Sequence, residues 1–267
     1  MGIEVLVSTM HQVEKDYSLL ERMNINSDAV VINQCNSNSM ETLTFRNWSI
    51  KWVNTTERGL SNSRNMAISY STAEYCLVAD DDEVFINDYA QIVIGAFERH
   101  PKKSILRFQV HGIEKVFKNY RDREFRISWL NSMKMSSVEL AIRRCDIINN
   151  DISFDYLIGA GTEFMMGEEN AFAWTCLKKG LLIYNIPQCI ADLHIGESTW
   201  FSGFNDKYFF GRGAAFAAMS KAFSIPLIIQ FAIRRRKNAE ISMKSSIINM
   251  LKGRKEYLNR KNKCNSK

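Results

Sequence analysis

The chain has 267 residues, 46% of them apolar and only three of them proline, which suits one large packed domain, or a domain with an appendage, and excludes a disordered chain. Its six cysteines, Cys35, Cys76, Cys145, Cys176, Cys189 and Cys264, are scattered with no C-x-x-C pair; this excludes a zinc knuckle or a disulfide framework and points to reduced thiols in the cytoplasm. The net charge of +6 divides unevenly, because residues 234–267 carry twelve Lys and Arg against two Glu while the rest carries 23 basic and 27 acidic side chains, so an anionic partner is expected for the tail alone.

Residues 3–7, Ile-Glu-Val-Leu-Val, read as a strand rather than a signal peptide, and Leu6 stands where a myristoylation motif needs Ser or Thr. A second strand is expected at Val30-Val31-Ile32, a helix over 62–73, a strand over 76–79 and a helix over 89–99. That alternation predicts an α/β layered domain. In such folds ligands lie beyond the carboxyl ends of the strands, where Ser8, Thr9, Asn33 and Gln34 fall.

The strand at 76–79 runs directly into Asp80-Asp81-Asp82. Neighbouring carboxylates repel one another and raise at least one pKa unless a counter-charge is present. Oxygen ligands of this kind suit magnesium or manganese, which is commonly held by one or two carboxylates together with substrate phosphates. Strand alternation places Asp80 and Asp82 on one side and Asp81 on the other. The competing interpretation is a solvated acidic turn preceding the next element.

The middle of the chain mixes short strands, at 105–110 and 138–142, with a glycine-bearing loop, Gly159-Ala160-Gly161. Gly167-Glu168-Glu169-Asn170 then leads into a helix over 171–179 that Gly180 stops, so Glu168 and Glu169 fall in a first helical turn, where the helix dipole favours negative charge. His194 follows another short apolar run and is either a structural histidine or a ligand completing a carboxylate site. The apolar run at 225–233 adjoins Arg234-Arg235-Arg236-Lys237; it is too short to span a bilayer but suits the interface of an anionic membrane.

Taken in order, the segment Glu57-Arg58-Gly59-Leu60-Ser61-Asn62-Ser63-Arg64-Asn65, the Asp80-x-Asp82 pair and Gly167-Glu168-Glu169 resemble the motifs of inverting family 2 glycosyltransferases of the GT-A fold, of the bacterial surface-polysaccharide type such as capsule or lipopolysaccharide enzymes. The resemblance implies a Rossmann-like nucleotide-diphospho-sugar transferase sheet flanked by helices, with a nucleotide-sugar-binding half over 1–110, an acceptor-binding half over 111–205 and a helical, basic extension over 206–267. It implies that Ser8, Thr9, Gln34, Arg64, Asp80 and Asp81 serve the donor, a UDP-sugar, and that Asp80, Asp82 and His194 hold Mn2+ or Mg2+. Glu169 takes the place of the usual Asp general base, and the adjacent Glu168 is the alternative. The implied activity is a hexosyl- or N-acetylhexosaminyltransferase acting with inversion on a saccharide carried by a polyprenyl diphosphate, at the inner face of the cell membrane and with no nucleic-acid partner. Trp129, Trp174 and Trp200 are candidate sugar-stacking faces. Two other readings stand beside this one. The run Asp80-Asp81-Asp82-Glu83-Val84 also fits the nucleophile loop of a haloacid-dehalogenase-like phosphohydrolase, and the Glu168-Glu169 departure would suit an inactive nucleotide-sugar-binding partner subunit.

Overall fold

The computed structural model describes residues 2–13, 15–196 and 203–265. In chain order the elements are β1 (Ile3–Met10), α1 (Ser18–Arg22), β2 (Asp28–Gln34), β3 (Ser39–Phe45), β4 (Trp48–Thr55), α2 (Leu60–Tyr70), β5 (Tyr75–Asp80), β6 (Glu83–Phe85), α3 (Tyr89–Arg99), β7 (Ile105–Gly112), β8 (Phe125–Arg126), α4 (Trp129–Ser132), β9 (Leu140–Arg143), α5 (Arg144–Asn149), α6 (Glu168–Lys178), β10 (Ile183–Leu193), α7 (Asp206–Met219), α8 (Ser224–Arg235) and α9 (Met243–Asn265). The chain divides into two compact units: residues 1–58, 62–153 and 176–196 form the first, and residues 59–61, 154–175 and 197–267 the second.

All ten strands belong to the first unit and make one mixed sheet in the order β3-β4-β2-β1-β5-β9-β7-β10-β6, with β8 beside β10. The central strands β4, β2, β1 and β5 are parallel, and β2, β1 and β5 carry the near-continuous apolar runs that burial on both faces requires. Side chains alternate between the faces. Val5, Val7, Val31, Leu77 and Leu106 join one core with Leu19 and Leu20 of α1 and with Val93 and Phe97 of α3. Ser8 and Asp80 project from the opposite face, toward which α2 turns Ser63 and Arg64.

Two features of the sheet differ from the sequence reading. The hairpin β3–β4 was not expected, because residues 39–45 mix polar and apolar side chains and lie at the sheet edge, with only Leu43 and Phe45 partly buried against the core; Arg46 takes a φ of 54° in its two-residue turn. The expected strand over 138–142 is shortened, since residues Ser137–Glu139 form a 3-10 turn closed by Ser136 and Glu139. Pro187 lies where β10 slips its register against β7, between Asn185 and Cys189, as a residue lacking an N–H requires.

In the second unit α7 and α9 pack closely, and glycines permit the contact. A Cβ on Gly213 would collide with the Met250 carbonyl oxygen, and one on Gly253 with that of Phe210. Phe209, Phe216 and Phe231 fill the space between α7 and α8. Asp155 is tied to α9 through Tyr257 Oη and through Lys261 Nζ at 3.0 Å. No helix among the described residues is long and apolar enough to cross a membrane.

Candidate active site

Parallel register brings the polar strand ends of the first unit to one edge: Ser8 stands opposite Ile32 and Asp80, Thr9 opposite Asn33, and Met10 opposite Gln34. Ser8 is hydrogen-bonded to Ser63 Oγ at 2.9 Å, which fixes α2 against β1. Thr9 donates to Asp81 Oδ2 and accepts from Gln12 Nε2 at 2.8 Å. Asn33 donates to Asn54 Oδ1 at 2.8 Å and accepts from the Gln12 N–H at 3.0 Å. Gln34 is buried, and its carbonyl accepts from the His11 N–H.

Arg64 is 1% exposed, and its Nη2 reaches Asp80 Oδ1 at 2.9 Å and Ser137 Oγ at 2.6 Å. A guanidinium so deeply buried needs a carboxylate, and Asp80 supplies it. This arrangement makes Arg64 a positioning residue that holds Asp80 from behind, with Ser137 as a third member. Glu83, also buried, accepts from the Asp80 N–H at 3.0 Å and closes the turn between β5 and β6. Burial, followed by repulsion from Asp80, holds the Glu83 carboxyl well above its ordinary range.

Of the carboxylates in this turn only Asp80 is ion-paired among the described residues; Asp81 and Glu83 accept hydrogen bonds from Thr9 and from the Asp80 N–H, and Asp82 sits beside them without an ion pair. Burial, then repulsion from Asp80 and Asp81, pushes the Asp82 pKa up to about 6, and nearby His194 acts in the opposite direction. His194 enters at the end of β10, where its N–H donates to the Asp82 carbonyl at 3.0 Å. Its imidazole Nδ1 lies 2.9 Å from Glu114 Oε1, and Glu114 also accepts from the Ile195 N–H. Glu114 is accordingly held below its usual pKa, first by the hydrogen bond to His194.

No group of three or more His, Cys, Asp or Glu side chains arranged to hold a metal occurs among the described residues. The expected set of Asp80, Asp82 and His194 is therefore not gathered into a protein-only cage, because Asp80 is engaged by Arg64 and the His194 ring by Glu114. Asp82 fits a divalent ion in another sense: its carboxyl is raised first by burial and then by two like charges, and a cation would relieve the repulsion.

Glu168 and Glu169 belong to the second unit and open α6 as its first turn. Gly167, with a φ of 88°, turns the chain into the helix, and a Cβ there would meet Ala215 Cβ. Glu168 is 6% exposed and lies close to Gly159 and Ser61: a Cβ on Gly159 would fall 3.1 Å from both the Glu168 carboxyl carbon and Ser61 Oγ. Ser61 in turn donates to the Ile158 carbonyl at 2.8 Å, so the loop glycines allow close approach around Glu168. Glu169 is half-buried. Trp174 is buried at 5% exposure and offers no stacking face, Trp129 is exposed at 41%, and Trp200 lies outside the described residues.

Sequence reasoning missed Ser137, Glu83 and Glu114, which orient Arg64, Asp80 and His194. The capping pattern Ser136-x-x-Glu139 is the one local signal that marks the turn carrying Ser137.

The mixed sheet flanked by helices is that of GT-A nucleotide-sugar transferases. It matches the crystal structure of S. aureus TarS 1-349 in complex with UDP-GlcNAc with a TM-score of 0.61 and 13% sequence identity over 94% of this chain and 80% of that one. It matches TarS 1-349 with a TM-score of 0.59 and 13% identity over 89% and 72% of the two chains. Against the longer S. aureus TarS structure the TM-score is 0.60 at 14% identity, covering 90% of this chain and 44% of that one. No curated protein matches the chain in sequence. Residues 17–156 match the sequence profile described as Glycosyl transferase family 2, and the chain belongs to that family. Membership replaces the phosphohydrolase reading of the acidic loop.

Proposed function

We propose that the protein transfers a hexosyl or N-acetylhexosaminyl group from a UDP-sugar, with inversion, to a hydroxyl of a saccharide acceptor carried on a polyprenyl diphosphate, in bacterial surface-polysaccharide assembly. The observation that carries this reading is the end of β5, where Asp80 is neutralised by a buried arginine while Asp82 remains in a field of like charge. Family membership and the UDP-GlcNAc bound by TarS support a nucleoside-diphosphate sugar as the ligand of that strand end.

The roles follow from the chemistry of each group. Ser8, Thr9 and Gln34 line the strand ends on which the nucleotide rests, with Asp81 oriented by Thr9. Arg64, Ser137 and Glu83 hold Asp80 and the turn after it, so that Asp82 is presented without rearrangement. Asp82 is the residue that would hold Mn2+ or Mg2+, with His194 beside it; the ion would supply Lewis-acid stabilisation of the departing diphosphate. Glu169, or Glu168 beside it, accepts the proton of the attacking hydroxyl, a role that requires hydrogen-bond reach to that hydroxyl. A base on one side of the anomeric carbon and a leaving diphosphate on the other give inversion.

The lipid-linked acceptor is supported by α8. Ile225, Ile229 and Ile233 are spaced as one helical stripe and are 45%, 48% and 50% exposed, and Arg234, Arg236 and Lys237 follow in exposed positions. An apolar stripe ending in cations suits an anionic bilayer surface, each cation adding about 1 kcal/mol. Removing residues 225–267 should abolish co-sedimentation with vesicles containing phosphatidylglycerol; undiminished sedimentation would sink the membrane assignment.

The transfer itself is tested by measuring UDP release from a panel of UDP-sugars with and without manganese. Metal-dependent release that falls steeply in Glu169→Gln supports it. Binding of a UDP-sugar with no turnover under any condition would instead identify an inactive partner subunit.

A further inference from the structure

Beside β7 in the first unit lies a cavity of about 430 Å³ whose lining includes Arg107, Lys118, Arg121, Lys134, Tyr120 and Phe125 and contains no carboxylate residue. Four cations line it, and among the described residues only Lys118 is ion-paired, to Glu139 Oε2 at 2.9 Å. Arg107 is the unusual member. It is 7% exposed, yet both hydrogen bonds it makes, from Nε at 3.0 Å and Nη2 at 2.6 Å, go to the neutral Asn185 Oδ1, and its guanidinium otherwise lies over the Tyr120 ring at 5.7 Å. It makes no ion pair among the described residues, although burial of a charge without a counter-charge is costly. Arg121, exposed, lies over the Phe125 ring at 5.4 Å, and the Asn119 and Asn131 side chains complete the wall.

From these features we infer that the cavity is a second binding site, separate from the donor carboxylates, for a sugar phosphate. The anionic group answers the uncompensated charge of Arg107 together with Arg121 and Lys134, because guanidinium groups bind phosphate oxygens through paired charge-assisted hydrogen bonds. The rings of Tyr120 and Phe125 and the two asparagine amides supply the ring faces and hydrogen-bonding groups that a sugar needs and a free anion does not.

The site is placed to serve the acceptor, a role that rests on the transfer proposed above. Leu77, Ala141 and Leu106 are in register across β5, β9 and β7, so Asp80 and Arg107 both project from the other face of the sheet. The two strands are separated only by β9, about 10 Å apart at ordinary strand spacing. One 3-10 turn, Ser137–Glu139, joins the two sites: Lys118 holds Ser136 Oγ at 2.7 Å and Glu139, while Arg64 of the donor site holds Ser137.

The test is binding, which needs no turnover and therefore stands even if transfer fails. Protein saturated with UDP is titrated with glucose 1-phosphate, inorganic phosphate and glucose while the amide NMR signals of Asn119, Tyr120 and Arg121 are followed. Saturable shifts at these amides are expected, with glucose 1-phosphate binding more tightly than either fragment. The double variant Arg121→Ala/Lys134→Ala, which alters only exposed side chains, should weaken that binding about tenfold while UDP affinity is unchanged. Arg107→Gln should weaken it as well. Equal binding of inorganic phosphate would assign the cavity to a free anion and overturn the sugar-phosphate reading. Absence of shifts at these amides, or shifts unaltered in the double variant, would overturn the site itself.

Discussion

The turn after β5 and the outer face of α8 each concentrate one kind of side chain, and the fold treats them in opposite ways. At β5 the carboxylates of Asp80 and Asp81 are each given a partner, Arg64 and Thr9, and the turn is closed by buried Glu83. On α8 the isoleucines of the stripe are half-exposed, and the residues that pack, Ile228 and Phe231, lie on the other side of the helix. A strand end supported by buried hydrogen bonds is suited to presenting Asp82 in one position. An apolar stripe on a helix whose other side is packed is suited to a surface that needs no fixed geometry. The first is a site of chemistry and the second a site of attachment, and substitutions should affect them differently.

The largest effect is expected at Asp82. Asp82→Ala should lower UDP release by about 10²–10³-fold, the range seen when a preorganised electrostatic group is removed, while circular dichroism shows an unchanged fold. Next is Asp80→Ala, which takes the carboxylate away from the buried Arg64 guanidinium; urea unfolding should show a loss of about 3 kcal/mol. Asp81→Ala removes a single hydrogen bond and should cost about 1 kcal/mol by the same measurement, which separates the two neighbours. Gly253→Ala drives a methyl group into the Phe210 carbonyl in the second unit and should cost about 2 kcal/mol by overpacking. The smallest change in stability belongs to α8: Ile225→Ser/Ile229→Ser/Ile233→Ser should leave the unfolding midpoint nearly unchanged and still reduce vesicle binding. A large loss of stability in that triple variant would mean that the stripe is packed rather than exposed, and the contrast between the regions would disappear.

Much of the first unit was legible because its strands are apolar runs ending in polar residues. β1, β2 and β5 carry their chemistry at their carboxyl ends, and α3 follows its apolar spacing over the full expected range. β3 was not legible, since an edge strand that buries only part of Leu43 and Phe45 carries a weak apolar pattern. Arg64 stood out only as part of a motif, and its burial against Asp80 could not be read from spacing. Its other partner, Ser137, lies 57 residues from Asp80 in the chain, and Glu114 lies 80 residues from His194. Such partners are set by the order of strands in the sheet, with β9 inserted antiparallel between β5 and β7, and no local pattern encodes that insertion. The helix at 168–178 was legible through Gly167 and Gly180, which flank it with positive φ values.

The central claim is that the end of β5 holds a nucleoside diphosphate through Asp82 with the help of a divalent ion. Calorimetric titration of the full chain with UDP, with and without manganese, tests it most directly. The account predicts binding that manganese strengthens in the wild type, and loss of that strengthening in Asp82→Ala with the fold intact. UDP binding that is equally tight without the metal, and equally tight in Asp82→Ala, would contradict it.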